Sequence, residues 1–165
     1  MIKKIKASKS EKIIFFFLIS LAIFSLSSFF LIKNKCLFVK NYNPEKLSFD
    51  KPNNIAILNV ECGNVIIELY PNISPNAVER FKTLVRSKAY DDVAFHRVIK
   101  DSLVQAGDLE FGKKGNIDYG KIGTGQSGLG TINSEVDVPF NYDRGSVGLA
   151  RTQKYNTEDS QFFIT

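Results

Sequence analysis

Val93-Ala94-Phe95-His96-Arg97-Val98-Ile99, then Lys100-Asp101-Ser102, Leu103-Val104-Gln105-Ala106 and Gly107-Asp108, is the stretch that decides how this chain folds. Its two apolar runs, 93–99 and 103–106, have the composition of strands and are separated by a short polar break. Upstream, Ile55–Val60 and Val65–Tyr70 are β-rich runs flanking Glu61-Cys62-Gly63-Asn64, which predicts a hairpin with a glycine-containing turn. Ser74-Pro75 then places an N-cap before a proline at the first helical position. Val78, Phe81, Leu84 and Val85 follow at helical spacing, and the helix fades near Lys88. Downstream, Gly107 to Gly130 is glycine-rich and irregular, Asn141–Arg144 reads as a turn, and Ser146–Arg151 and Gln161–Thr165 return to strand-like texture. Many short strands, one amphipathic helix and glycine-rich connections predict a mainly β domain, a barrel or sandwich with a helical cap.

The N-terminal third is different in kind. Ile13 to Ile32 (IIFFFLISLAIFSLSSFFLI) is twenty residues without a charge and without a polar face. As a helix it spans about 30 Å, the thickness of a bilayer's hydrocarbon core. The apolar run is longer than a cleaved leader's, and Ser25-Leu26-Ser27 is a weak cut site, so an uncleaved anchor is expected. Lys3, Lys4, Lys6, Lys9 and Lys12 precede the span, against Lys33, Lys35 and Lys40 after it. That asymmetry puts the N-terminus in the cytoplasm and the remainder on the periplasmic side of a cell inner membrane, as a single-pass protein. The segments are therefore a basic stretch 1–12, a transmembrane helix 13–32, a polar linker 33–53 and a domain 54–165.

The net charge of +5 is confined to the membrane flanks: residues 1–50 carry nine Lys against three acids, and the rest is slightly acidic. The folded part has no basic footprint for nucleic acid. Cys36 falls in the linker and Cys62 in the hairpin turn; an outside location would permit a disulfide, but two free thiols is the expected state. Gly123-Thr124-Gly125-Gln126-Ser127-Gly128 fits a dinucleotide fingerprint in letters only, because no strand leads into it and no helix follows. His96 is the sole histidine, without the companions a metal site needs, and is expected to hold a loop by hydrogen bonds.

Two blocks then make the chain recognisable. Phe95-His96-Arg97-Val98-Ile99 with Gln105-Ala106-Gly107-Asp108 resembles the first cyclophilin signature. Gly145-Ser146-Val147-Gly148-Leu149-Ala150-Arg151-Thr152, Asn156 and Ser160-Gln161-Phe162-Phe163-Ile164 resemble the second, in a form close to bacterial members. The resemblance covers residues 54–165 and implies an antiparallel β-barrel with a capping helix and peptidyl-prolyl cis-trans isomerase activity. The X-Pro bond resists rotation by about 18–20 kcal/mol, and turning it makes no covalent bond, so no metal or cofactor is expected. By resemblance Arg97 is the donor near the prolyl nitrogen, a task suited to a cation charged at every relevant pH. Gln105 orients it, and His96 supports its loop. Leu103 and Phe163 line the proline pocket. Ala150 and Arg151 face the residues before the proline, Thr124 lies beside that groove, and Gln161 and Ser102 complete the substrate-binding set. The expected partners are proline-containing polypeptides and, through the N-terminal helix, the membrane.

The chain departs from the family in three ways. Ser102 stands where an aromatic wall is usual, which predicts binding weaker by about 1–3 kcal/mol. Leu149 replaces a usual methionine. The chain ends at Thr165, ahead of the segment that contributes Trp, Leu and His to the family's pocket. A barrel removes its sheet edges only by closing, so an incomplete one is expected, with 54–165 poorly folded in isolation. Alternatives to an isomerase are a binder that grips proline segments without turnover, and a fragment without function.

Overall fold

The computed structural model describes residues 8–34, 36, 39–40, 42–136 and 141–165. Lys3, Lys4, Lys6 and Lys35, which weighed in the orientation argument, lie outside the described residues. The chain divides into two compact units, Met1–Leu47 with Leu58–Val65, and Ser48–Ile57 with Ile66–Thr165.

The first unit is dominated by helix α1, Lys9–Lys33. Ser8 caps it: its hydroxyl accepts from the Glu11 amide at 3.2 Å while its own amide donates to the Glu11 carboxylate at 2.6 Å. The reciprocal pair satisfies amides that a helix start leaves open. Twenty-five residues at about 1.5 Å each make the helix long enough, and its sequence makes it apolar enough, to cross a bilayer. None of its side chains is buried in the protein. Ser20 donates to the Phe17 carbonyl at 3.0 Å, the internal bonding that lets a hydroxyl sit in such a helix.

The cysteines correct the expectation of free thiols. Cys36 and Cys62 form a disulfide across 26 residues, with Cα atoms 4.9 Å apart. Asn64 donates its side-chain amide to the Tyr42 carbonyl at 3.2 Å, so the segment after α1 is bound to the hairpin tip at a second point. Residues 33–53 are also less featureless than a linker: Pro44–Lys46 and Pro52–Asn54 form single 3-10 turns, each opened by its proline.

In the second unit, the base of the hairpin β1 (Ile55–Val60) and β2 (Gly63–Glu68) leads to helix α2, Pro75–Arg86. The strands meet closer than expected, since β2 begins at Gly63 rather than Val65. Ser74 holds the N-cap position without a side-chain bond. The cap comes from Glu135 instead, whose carboxylate accepts from the Asn76 and Ala77 amides at 2.9 and 3.1 Å. Lys88, at φ 59°, turns the chain out of the helix. Val78, Phe81 and Leu84 are the buried face, as their spacing predicts.

Strands β3 (Arg97–Ile99), β4 (Leu103–Ala106), β5 (Val147–Leu149) and β6 (Phe162–Ile164) form an antiparallel sheet in the order β3-β4-β6-β5. The expected strand 93–99 is regular only at its end; Val93 makes an isolated bridge to Lys113. One face carries Phe162, whose ring meets Phe81 and Tyr90 at 5.5 and 5.4 Å. Tyr90 also donates its hydroxyl to the Ser160 carbonyl at 2.7 Å. Burial first, and then the nearby Asp159 charge, push its phenol far above the ordinary value. The expected barrel is not closed, and α1 and α2 hold more of the described residues than the strands do, so the content is mixed rather than mainly β. Short strands and the long irregular run from Gly107 to Gly130 account for the difference.

Candidate functional site

Register decides the site. Arg97 lies opposite Gln105, Gln105 opposite Phe163, and Phe163 opposite Gly148. Residues directly opposite one another share a sheet face, so these four make one row across all four strands. Leu103, two residues before Gln105, belongs to the same face. The row floors a groove of about 750 Å³ lined by Arg97, Leu103, Gln105, Phe163, Ala150 and Arg151, together with Tyr142, Leu149, Thr152 and Gln153.

The arginine is aimed by a relay of amides. Arg97 donates Nη1 to Gln105 Oε1 at 3.2 Å. Gln105 donates Nε2 to Gln161 Oε1 at 2.9 Å, and Gln161 donates Nε2 to the carbonyls of Gly123 and Gly125, both at 3.0 Å. A primary amide has one accepting and one donating end. Two carbonyls therefore fix which way Gln161 faces, Gln161 fixes Gln105, and Gln105 presents only an oxygen to the guanidinium. The glycine loop is held in turn by Asp108, fully buried, whose carboxylate accepts from the amides of Glu110 (3.1 Å), Phe111 (2.8 Å), Gly123 (2.7 Å) and Gly125 (3.0 Å). Burial alone would raise that carboxyl, but the four amides outweigh it and hold it below its ordinary value. Gly125 has to be glycine, because an added Cβ would run into the Asp108 side chain.

Six of the ten residues singled out from sequence line the groove: Arg97, Gln105, Leu103, Ala150, Arg151 and Phe163. Gln161 stands behind Gln105 in the relay. Thr124 rides on the loop that Gln161 grips, but its hydroxyl donates to the Lys121 carbonyl at 2.7 Å. Ser102 is exposed at the β3–β4 turn, outside the lining, with its amide on the Ile99 carbonyl at 3.1 Å. His96 corrects its expectation: both ring nitrogens are buried and make no hydrogen bond, and the ring supports the loop by packing against Gly123. Its backbone amide donates to the Gln105 carbonyl at 3.0 Å.

Sequence reasoning missed Tyr142, which it assigned only to a turn. The ring lies 5.1 Å from that of Phe163 and forms part of the groove. The one available signal was Gly148, a small residue in a strand, which marks close approach by another group. Arg151 is also more constrained than a rim arginine: its guanidinium stacks on Tyr155 at 4.7 Å and donates to the Thr152 carbonyl at 3.0 Å.

The cyclophilin type peptidyl-prolyl cis-trans isomerase family model matches residues 55–165. A probable peptidyl-prolyl cis-trans isomerase of Brucella suis biovar 1 is 45% identical over 116 residues, 68% of this chain and 58% of that protein. The peptidyl-prolyl cis-trans isomerase ppi1 of Schizosaccharomyces pombe is 34% identical over 113 residues, 66% of this chain and 64% of that one. The chain thus spans about three-fifths of the length of the Brucella relative. A Cryptosporidium parvum cyclophilin crystallised in the presence of the dipeptide Ala-Pro superposes with a TM-score of 0.52 at 30% identity, covering 62% of this chain and 61% of that one. Cyclophilin AquaCyp293 from Hirschia baltica, at 22% identity, shares the fold with a TM-score of 0.54 over 76% of this chain and 64% of its own. With its two signature blocks folded onto one sheet and the family model matching most of its length, this chain belongs to the cyclophilin-type peptidyl-prolyl cis-trans isomerase family.

Proposed function

We propose that the chain accelerates cis-trans rotation about X-Pro bonds in polypeptides outside the cytoplasmic membrane. The observation that carries this is the Arg97 guanidinium, fixed through Gln105 at the rim of a groove that also holds Leu103 and Phe163. A pyrrolidine ring seated against those apolar walls would bring its imide nitrogen towards the guanidinium. A hydrogen bond donated to that nitrogen favours the twisted, pyramidal amide over the planar one, and so lowers the barrier without a covalent step. Ala150 and Arg151 would meet the residues before the proline, with Gln161 keeping the orientation and Thr124 beside the groove. His96 would act by shape, and Ser102 would meet the substrate only from outside the groove lining.

The apolar helix 13–32 supports a single-pass anchor in the inner membrane, with 54–165 as the catalytic domain. The disulfide supports an extracytoplasmic side, because such bonds persist in oxidising compartments. Protease added to spheroplasts should digest residues beyond α1 and spare the helix; protection of the domain would reverse the orientation.

The exposed Ser102 favours one rival, a binder that holds proline segments without turning them. A protease-coupled assay with a proline tetrapeptide and the full chain in nanodiscs separates the two. Turnover above the uncatalysed rate is expected; saturable peptide binding with no rate enhancement would establish the binder instead.

A further inference from the structure

Phe163 has an aromatic partner that its neighbours in sequence do not supply. The residue opposite it, Gly148, lies on the groove face, and a Cβ there would meet Tyr142 Cε1 at 2.7 Å, Phe163 Cζ at 2.8 Å and the Tyr142 hydroxyl at 2.9 Å. The missing side chain is therefore the space that lets Tyr142 lie across the sheet and reach Phe163, ring to ring at 5.1 Å and 59°. This arrangement is braced. The turn bearing Tyr142 is tied to the end of β6, the strand that carries Phe163. Thr165 Oγ1 donates to the Asp143 carbonyl at 2.5 Å, the Gly145 amide to the Thr165 carbonyl at 2.7 Å, and the Thr165 amide to the Ser146 carbonyl at 3.0 Å. The Ser146 amide closes the turn onto Asp143 at 2.9 Å.

Tyr142 nonetheless keeps 63% of its surface exposed, so it faces the groove without being part of the core. We infer that Tyr142 is a proline-binding wall: with Phe163 it forms an aromatic corner that receives the pyrrolidine ring of an X-Pro segment. The ring's C–H bonds, polarised by the imide, meet two aromatic faces whose negative quadrupoles attract them, in addition to the apolar area buried. Tyrosine suits the place because its hydroxyl can stay in water while its ring is covered. The inference rests on the isomerase reading above, since it names a residue of that same groove.

The test uses the full chain in nanodiscs and an Ala-Pro tetrapeptide, with affinity followed by peptide NMR shifts and turnover by exchange spectroscopy. Tyr142→Ala is expected to weaken binding about tenfold while kcat changes less than twofold, since a wall holds the ring in ground and transition states alike. Tyr142→Phe should regain most of the lost affinity, because the ring and not the hydroxyl is the contact. A thermal midpoint for Tyr142→Ala close to that of the parent separates lost contact from lost fold. Affinity within twofold of the parent in Tyr142→Ala overturns the wall while leaving the isomerase reading intact. A parent chain that neither binds nor turns over the peptide overturns both.

Discussion

Asp108→Asn removes one charge and changes almost nothing in shape, yet the geometry predicts a large effect. The carboxylate divides its four bonds evenly: one oxygen takes the Glu110 and Phe111 amides, the other takes Gly123 and Gly125. A carboxamide can serve one pair and must turn its NH2 toward the other. Two buried donors are then unpaired, at about 1–3 kcal/mol each. The expected loss is roughly 2–6 kcal/mol, a large part of the 5–15 kcal/mol that a domain has. Urea unfolding followed by circular dichroism should show it. Because the Gly123–Gly125 loop anchors Gln161, the same substitution should speed hydrogen exchange at those two amides and lower turnover. The pH dependence has a definite sign. The folded carboxyl titrates below its ordinary 3.8, so its contribution is fully present above that value and is lost as the pH falls through the folded pKa. The gap between parent and Asn variant should be constant at neutral pH and close in acid. A loss under about 1 kcal/mol with unchanged amide exchange would mean that the loop does not depend on this carboxylate.

Three further outcomes follow from named contacts. Glu135→Ala uncaps α2 and should cost about 0.5–2 kcal/mol in urea unfolding, whereas Ser74→Ala should cost little, because the Ser74 hydroxyl makes no cap bond. Gly107→Ala, at φ 92° with the Ser160 carbonyl 2.5 Å from the new Cβ, should destabilise strongly and fail to accumulate in cells as folded protein. Replacing Cys36 and Cys62 with Ser together opens a 26-residue closure, a loss of about 3.5 kcal/mol in the chain-entropy account, and should free Val39, Lys40 and Tyr42 to protease.

The strands flanking Lys100-Asp101-Ser102, the α2 face and the apolar helix were legible because each follows from local periodicity or composition. Arg97, Gln105 and Phe163 were named from the signature blocks, and what joins them is a register across three strands that no local pattern encodes. The same limit explains the misses. Glu135 caps a helix 59 residues away, Cys36 reaches Cys62 only once the hairpin exists, and Tyr142 takes its place only because Gly148 leaves it room. His96 was expected to bond and instead packs, a distinction set by the surroundings of its ring nitrogens and not by residue type.

Catalysis is assigned to the Arg97 guanidinium, and comparing Ala-Pro exchange rates under the parent chain, Arg97→Ala and Arg97→Lys at equal, saturating peptide tests that assignment. A fall of about 100-fold in Arg97→Ala is predicted, the usual scale for removing one preorganised donor. Only slight recovery is expected in Arg97→Lys, whose ammonium lacks the planar fork that Gln105 aims. Exchange in Arg97→Ala within twofold of the parent is the opposite result, for the groove would then turn the bond without the donor assigned to it.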